Sequence, residues 1–388
     1  MYPDLSYLFH DLLGTQPDNG LSIAKTFGFM MVMAFLVAAY LLYLELKRKE
    51  KLGVLSPIKV KQTVGAKVTP GELAGSGIWG FILGFKLSYV ALNFEIFKAD
   101  PAGALLSLKG MFIPGLLAGV VFLAYKYWEG KKKELPKPKA VIKDVYPHDR
   151  VGDMTVIAAI SGIFGAKIFD VIENLPAFFA DPVGMLLSGS GLAIYGGLIG
   201  GFLGVTWFAR KYHIPFWHLA DAIAPALIIA YGIGRIGCQL SGDGDWGIVN
   251  NLTQPGWWFL PDWMWAFDYP HNVLNEGVAI QGCDWHYCHR LQEAVFPTPF
   301  YETVMAFLIG GFLWIIRKRI RITGVLFFLY LILNGFERFW IEKIRVNRHY
   351  DYFGLHFTQA EFIATLFFII GIAGIFLLWK KQKKETVV

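Results

Sequence analysis

Nine separated stretches of this chain are each long and apolar enough to cross a lipid bilayer, and that constraint precedes every other. They fall at 23–43, 76–96, 105–126, 154–172, 190–209, 218–238, 299–317, 322–340 and 360–379. A hydrocarbon core of about 30 Å takes roughly 20 apolar residues in a helix. Inside lipid only helices and closed barrels satisfy their own backbone. A barrel would show ten-residue alternation, and the chain has none. Composition agrees, with 55% apolar and 17% charged residues, against about 25% charged in soluble domains. The sequence predicts an all-α, polytopic helical membrane protein of about nine transmembrane helices, forming one integral membrane domain over residues 1–388.

Charge sets the orientation. Lysine and arginine cluster after the first span (Lys47 to Lys67), after the third (Lys126 to Lys143), at Arg210 and Lys211, at Arg317 to Arg321, and at Lys380 to Lys384. The alternate loops 1–22, 97–104, 173–189 and 239–298 hold almost none. Cationic loops stay in the cytoplasm, which places the N-terminus outside and the C-terminus inside. The net charge of +6 thus reports orientation toward anionic lipid, with no nucleic-acid partner implied. The first residues, MYPDLSYLFHDLLG, lack a basic leader region, so no cleavable signal peptide is expected. The stretch 127–150 reads as a basic, Pro-containing cytoplasmic linker. The outer loop 239–298 is rich in tryptophan: an interfacial belt is the plainer reading, and a lid or docking surface the sharper one.

Within this frame, Asp221–Gly247 (DAIAPALIIAYGIGRIGCQLSGDGDWG) stands apart. Gly232, Gly234 and Gly237 surround a lone cation, Arg235, near the end of an apolar run, followed by Ser241, Asp243, Asp245 and Trp246. An arginine costs roughly 2.5–3.5 kcal/mol at a transmembrane helix centre and less nearer the interface. Snorkelling to the headgroups would need no glycines; close approach of a ligand or another backbone would. ISGIFGAKIFDVIEN at 160–174 shares the pattern with Lys167 as its cation, through similar helix packing or a weak internal repeat.

Three further stretches carry chemistry. IYGGLIGGFLGV at 194–205 is a small-residue ribbon that helix packing alone explains, with Tyr195 at its outer end. FPTPFYE at 296–302 offers Thr298 as a helix cap, Pro299 at the first helical position and Glu302 in the first turn. There Glu302 either offsets the helix dipole or acts in catalysis. GFERFWIEKIRVNR places Arg338, Glu342 and Arg345 at i, i+4 and i+7, one helical face. Arg235 and Arg338 should end at similar depth, and two guanidiniums suit a phosphate. Cys283 and Cys288 in the outer loop read first as a local disulfide; zinc on Cys283, His286, Cys288 and His289 is the alternative, with a spacing unlike standard fingers.

On these residues the chain resembles the prolipoprotein diacylglyceryl transferase family. GRIGCQLSGDGDWG keeps Gly234, Arg235, Gly237, Gly242 and Trp246-Gly247 of the family's Gly-Arg-x-Gly-Asn-Phe-x-Asn-Gly-Glu signature, with Asp243 at the glutamate beside a one-residue insertion. YGGLIGG stands for His-Gly-Gly-Leu-Ile-Gly, FPTPFYE for His-Pro-x-x-x-Tyr-Glu, ERFWIEKIR for the arginine helix, and FGAKIFD for a Gly-Gly-Arg segment. The similarity covers roughly 20–45 and 152–380, and 52–150 reads as an insertion of two helices with the basic linker. Tyr195 and Phe296 replace histidines, Cys238 and Ser241 replace asparagines, and Phe27 replaces a tyrosine. Tyrosine titrates near 10, so Tyr195 is a poor base at neutral pH and fits better as a donor or orienting group.

The resemblance implies transfer of diacylglyceryl from phosphatidylglycerol to the lipobox cysteine of a prolipoprotein, at the periplasmic face of the bacterial inner membrane. The catalytic residues implied are Arg235, Arg338, Tyr195, Asp243 and Glu302. Lipid would be held by Arg235, Arg338, Lys167, Arg345, Gly196, Gly197, Gly237 and Gly242. No metal or cofactor is expected. The partners are phosphatidylglycerol, lipobox signal peptides and membrane lipid. The competing reading is a non-catalytic lipid-binding or lipid-transport protein derived from that family.

Overall fold

The computed structural model describes residues 1–99, 101–187, 193–347, 349–352 and 355–385. In chain order the elements are α1 (Leu5–Leu13), α2 (Thr26–Lys51), β1 (Ile58–Val64), α3 (Pro70–Leu92), α4 (Phe94–Ala99), α5 (Pro101–Leu106), α6 (Phe112–Lys133) and β2 (Lys139–Val145). Then come α7 (Val151–Glu173), α8 (Leu175–Ala180), α9 (Pro182–Leu187), α10 (Ile194–Lys211) and α11 (Phe216–Ser241). The last part holds β3 (Val278–Ala279), β4 (His289–Arg290), α12 (Thr298–Ile316), α13 (Val325–Glu342), β5 (His349–Tyr352), β6 (Leu355–Thr358) and α14 (Gln359–Glu385).

Every expected span overlaps one long helix. Six of these, α2, α3, α7, α11, α12 and α14, are long and apolar enough to cross a membrane. The shorter or more charged α6, α10 and α13 are the other three. The start of the span expected at 190–209 lies outside the described residues. The expected third span is split, since α5 ends at Leu106 and α6 begins at Phe112.

The chain is mostly helical, but the purely α-helical expectation needs correction, because among the described residues three two-stranded antiparallel ribbons accompany the helices. IKVKQTV opens with alternating β-branched and charged residues, and KAVIKDV holds three β-branched residues, a composition that suits strands. They pair from Ile58↔Val145 to Val64↔Lys139. The stretch read as a linker is therefore partly the end of α6 and partly β2.

Two compact units divide the chain: residues 1–55 with 214–388, and residues 56–213. In the first, α11 packs against α2, α12 and α13, and α13 against α14. Ile228, Ala306, Leu313 and Leu326 form its core. The expected outer loop is a folded cap with its own cluster of Trp246, Tyr269, Leu291 and Val295, backed by Met1 and Phe267. Cys283 and Cys288 are joined as a disulfide, which removes both thiols from the zinc alternative. The N-terminal α1 belongs to the cap: Tyr7 packs on His271, Trp285 and Tyr287. Trp257 and Phe259, at 70% and 89% exposure, project from it.

In the second unit α3 packs on α6, and α7 on α10. The glycine ribbon explains the latter pair. A Cβ built on Gly200 would stand 3.0 Å from Gly165 Cα and 3.1 Å from the Ser161 carbonyl carbon, both backbone atoms that cannot rotate away. Gly200→Leu is expected to force the helices apart and cost about 1–3 kcal/mol. A fall in the thermal unfolding midpoint checks this; an unchanged midpoint would contradict it.

Candidate active site

The site is built where α11, α12 and α13 end beside one another in the first unit. Helix α11 stops after Ser241 because Gly242 adopts the left-handed conformation, φ 62°, and its N–H caps Cys238 O. The chain then reverses over the last turn of α11. Gly247 completes the return: its N–H donates to Phe296 O at 2.8 Å, and Ile248 N–H donates to Ile344 O at 2.9 Å. A Cβ on Gly247 would lie 2.5 Å from Ile344 O and 2.9 Å from Thr298 Cγ2. Only glycine lets this strap tie the start of α12 to the segment after α13.

What the strap gathers is a closed set of charges. Glu302 is fully buried, and three arginines converge on it. Arg235 Nε lies 2.6 Å from Oε2, an ion-pair approach outside hydrogen-bond alignment. Arg345 and Arg338 donate to Oε1 at 2.9 and 3.1 Å. Arg345 also donates to Asp245 Oδ1 at 2.6 Å, Arg235 pairs with Asp245 Oδ2, and Arg338 lies 3.1 Å from Glu342 Oε2. Three arginines thus face three carboxylates. Their side-chain exposures differ in a useful way: 24% for Arg338, 12% for Arg235 and 32% for Asp245, and 8% for Arg345. The cluster is most open at Asp245 and Arg338.

Several expectations shift here. Thr298 does not cap α12; its hydroxyl donates to Asp245 O at 2.8 Å. Pro299 follows it at the second helical position. Arg345 lies beyond α13, which ends at Glu342, and reaches the cluster through a bridge with Gly247. Asp245, not Asp243, occupies the carboxylate position in the ion pairs. The insertion in the motif and the reversal at Gly242 hid this: register along the chain favours Asp243, while the turn carries Asp245 back over Arg235.

Electrostatics separates the two acids. Burial works against the charge on Asp245, but Arg235 and Arg345 outweigh it and hold the carboxyl below its usual range. Burial pushes Asp243 above that range, and Asp245 adds to the shift. Cys238 Sγ and both carboxylates lie within 4.8 Å of one another. That donor set suits a cation poorly, because Asp245 already faces two guanidiniums.

Glu337 was not foreseen. It is 2% exposed, and among the described residues neither of its oxygens has a hydrogen-bond partner. Its neighbours in the field are Glu302, Arg338, Arg235 and Arg345. A glutamate between two phenylalanine-bearing turns of an apolar helix was the available signal.

The remaining expected residues belong to the second unit or to packing. Lys167 pairs with Asp170 on its own helix at 3.3 Å. Tyr195 is the second residue of α10. A Cβ on Gly196 would meet Phe169, whereas Gly197 has ordinary contact with Ala166. Gly196 also lines an apolar groove of about 600 Å³ between α7 and α10, with Phe164, Gly165, Gly200 and Trp207. In the first unit, Gly237 brings α11 within 3.1 Å of Met30 Cβ for a built side chain.

Residues 137–377 match the model of the family described as prolipoprotein diacylglyceryl transferase. The chain belongs to that family. Among relatives, the phosphatidylglycerol–prolipoprotein diacylglyceryl transferase of Dehalococcoides mccartyi is 28% identical over 240 residues, 61% of this chain and 80% of the relative. Those of Symbiobacterium thermophilum and Staphylococcus haemolyticus are 31% and 30% identical, each over about three fifths of this chain, and 76% and 75% of their own lengths. The matched residues begin after α3 and α6.

Proposed function

We propose that this transferase moves the diacylglyceryl group from phosphatidylglycerol to the lipobox cysteine thiol of prolipoproteins, and that the arginine cluster around Glu302 performs the transfer. Convergence of Arg235, Arg338 and Arg345 on one buried carboxylate, in a chain of this family, carries the reading. In the reaction the cysteine loses its proton, sulfur attacks the glyceryl carbon, and the carbon–oxygen bond to phosphate breaks. Glycerol phosphate leaves with the bonding electrons. Charge gathers on that phosphate in the transition state, where preorganised donors act most strongly. Arg338, the most open of the three, takes the phosphate, with Arg235 behind it. Glu302 fixes the geometry of all three guanidiniums.

Thiolate is the nucleophile, and a free thiol has a pKa near 8.5, so a proton acceptor is needed. Glu302, Asp245 and Glu342 are occupied by arginines; Asp243 feels Arg235 only at a distance, makes no arginine ion pair among the described residues, and serves as the acceptor. Tyrosine titrates near 10, so Tyr195 fits a hydrogen-bond donor rather than a proton acceptor, and the groove beside Gly196 is apolar enough to hold an acyl chain. The nine long helices span the bacterial inner membrane, N-terminus out, with the cluster at the periplasmic side.

A pH dependence follows. Asp243 must be ionised to act, so transfer rises with pH through a value above the ordinary carboxylate range, and Asp243→Asn removes that limb. Because its folded pKa is raised, its effect on stability has the opposite slope: the fold loses this contribution as pH rises from the unfolded value through the folded one. Rate and unfolding profiles of both proteins check the pair.

The reading is tested by reconstituting the protein with phosphatidylglycerol and measuring water-soluble glycerol phosphate. Release that requires a cysteine-containing lipobox peptide, and fails with serine in its place, supports transfer. Lipid binding without release would favour the non-catalytic alternative.

A further inference from the structure

A second cavity lies at the other end of the first unit, roughly 25 Å from Arg235 along α11, taking 17 residues at 1.5 Å each from His218. It has a volume of about 170 Å³, and its walls include Glu45, Arg48, Lys49, Asp221, Arg317 and Arg321, with Lys318 at the rim. Five basic side chains face two acidic ones. Both acids are already engaged. Glu45 accepts from Arg48 and Arg317, each at 2.9 Å. Asp221 accepts the backbone N–H groups of Gly324 and Phe327 at 2.7 and 3.0 Å.

Lys49 is the informative group. It is 8% exposed and donates to His218 O at 2.8 Å, yet among the described residues neither it, Lys318 nor Arg321 makes an ion pair. Asp221 and Glu45 lie in the field of Lys49, but without a direct ion pair its burial is costly, and it lines an open space. That cavity runs into another of about 440 Å³, which shares His218 and Arg321 and continues past Trp217, Leu378 and Lys381. A small anion fits the first; an apolar extension fits the second.

We propose that this cavity binds a phosphate group, carried on a lipid headgroup or as the free ion. Lys49 and Arg321 are its ligands, and Arg48 and Arg317 supply the surrounding positive field. The site is separate from the arginine cluster and does not depend on the transferase reading.

The test uses the full-length protein in neutral detergent with phosphate-free buffer. Its unfolding midpoint is followed against inorganic phosphate at constant ionic strength, and against phosphatidic acid with phosphatidylcholine as the uncharged-headgroup control. A rise of about 3 °C near saturation is expected for wild type. Lys49→Met should lose that rise, and should melt higher than wild type without anion because a desolvated ammonium that makes no direct ion pair is removed. Arg321→Gln, at the exposed rim, should weaken the response without that gain and covers the case in which Lys49→Met does not fold. A rise with inorganic phosphate assigns the free ion; a rise with phosphatidic acid alone assigns a headgroup. No rise in wild type, or equal rises in wild type and both variants, as phosphate at the Glu302 cluster would give, overturns the proposal.

Discussion

Glu302→Ala is expected to destabilise the protein by about 3–5 kcal/mol, the usual cost of removing one partner from a buried ion cluster, and to abolish transfer. The carboxylate is fully buried and touches Arg235, Arg338 and Arg345. Without it, three guanidiniums share Asp245 and Glu342, and one positive charge stays uncompensated in a low-dielectric setting. Glu302→Asp retains the charge but shortens the reach by one methylene, so it cannot hold all three contacts. It should recover much of the stability and little of the activity. Unfolding midpoints and transfer rates, measured on the same preparations, give both readouts. Full stability in Glu302→Ala would show that the cluster does not organise the helix ends.

Arg338→Lys is expected to behave differently, losing rate while keeping the fold. Arg338 spans Glu302 and Glu342 from the more open side of the cluster. Lysine preserves the charge but is a point donor, unable to bridge two carboxylates while presenting an edge to phosphate. Loss of one aligned donor to a developing anion costs about 10²–10³ in rate, and the midpoint should move by only a degree or two. The turnover rate at saturating lipid decides it. A rate within a few-fold of wild type would move the phosphate away from Arg338.

Much of this is legible in the sequence, and particular residues show why. The spans follow from apolar length alone, a property that tertiary contacts do not alter. The ribbon at Gly196–Gly204 was readable as packing because small residues at helical spacing have few other uses in lipid. Arg235, Glu302 and Arg338 could be singled out because charge is rare in such segments. Local register could not show which acid meets Arg235. That depends on Gly242 reversing the chain and on Gly247 touching Ile344, nearly 100 residues away. Arg345 was placed on a helical face by its spacing, but α13 ends at Glu342 and a strand-like bridge positions it instead. The β1–β2 ribbon was missed because its two halves stand about 80 residues apart and each, alone, reads as a polar linker. Lys49 was hidden for another reason: it belongs to a basic run, and only burial distinguishes it from its neighbours.

The measurement that bears most directly on the arginine cluster is the mass of a synthetic lipobox peptide after incubation with phosphatidylglycerol and either wild-type protein or Arg338→Gln. The account predicts one diacylglyceryl increment on the cysteine with wild type and almost none with the variant, at lipid concentrations that saturate both proteins and at a temperature below both unfolding midpoints. An increment of similar yield in both, or none with a wild-type sample that binds the lipid, would contradict it.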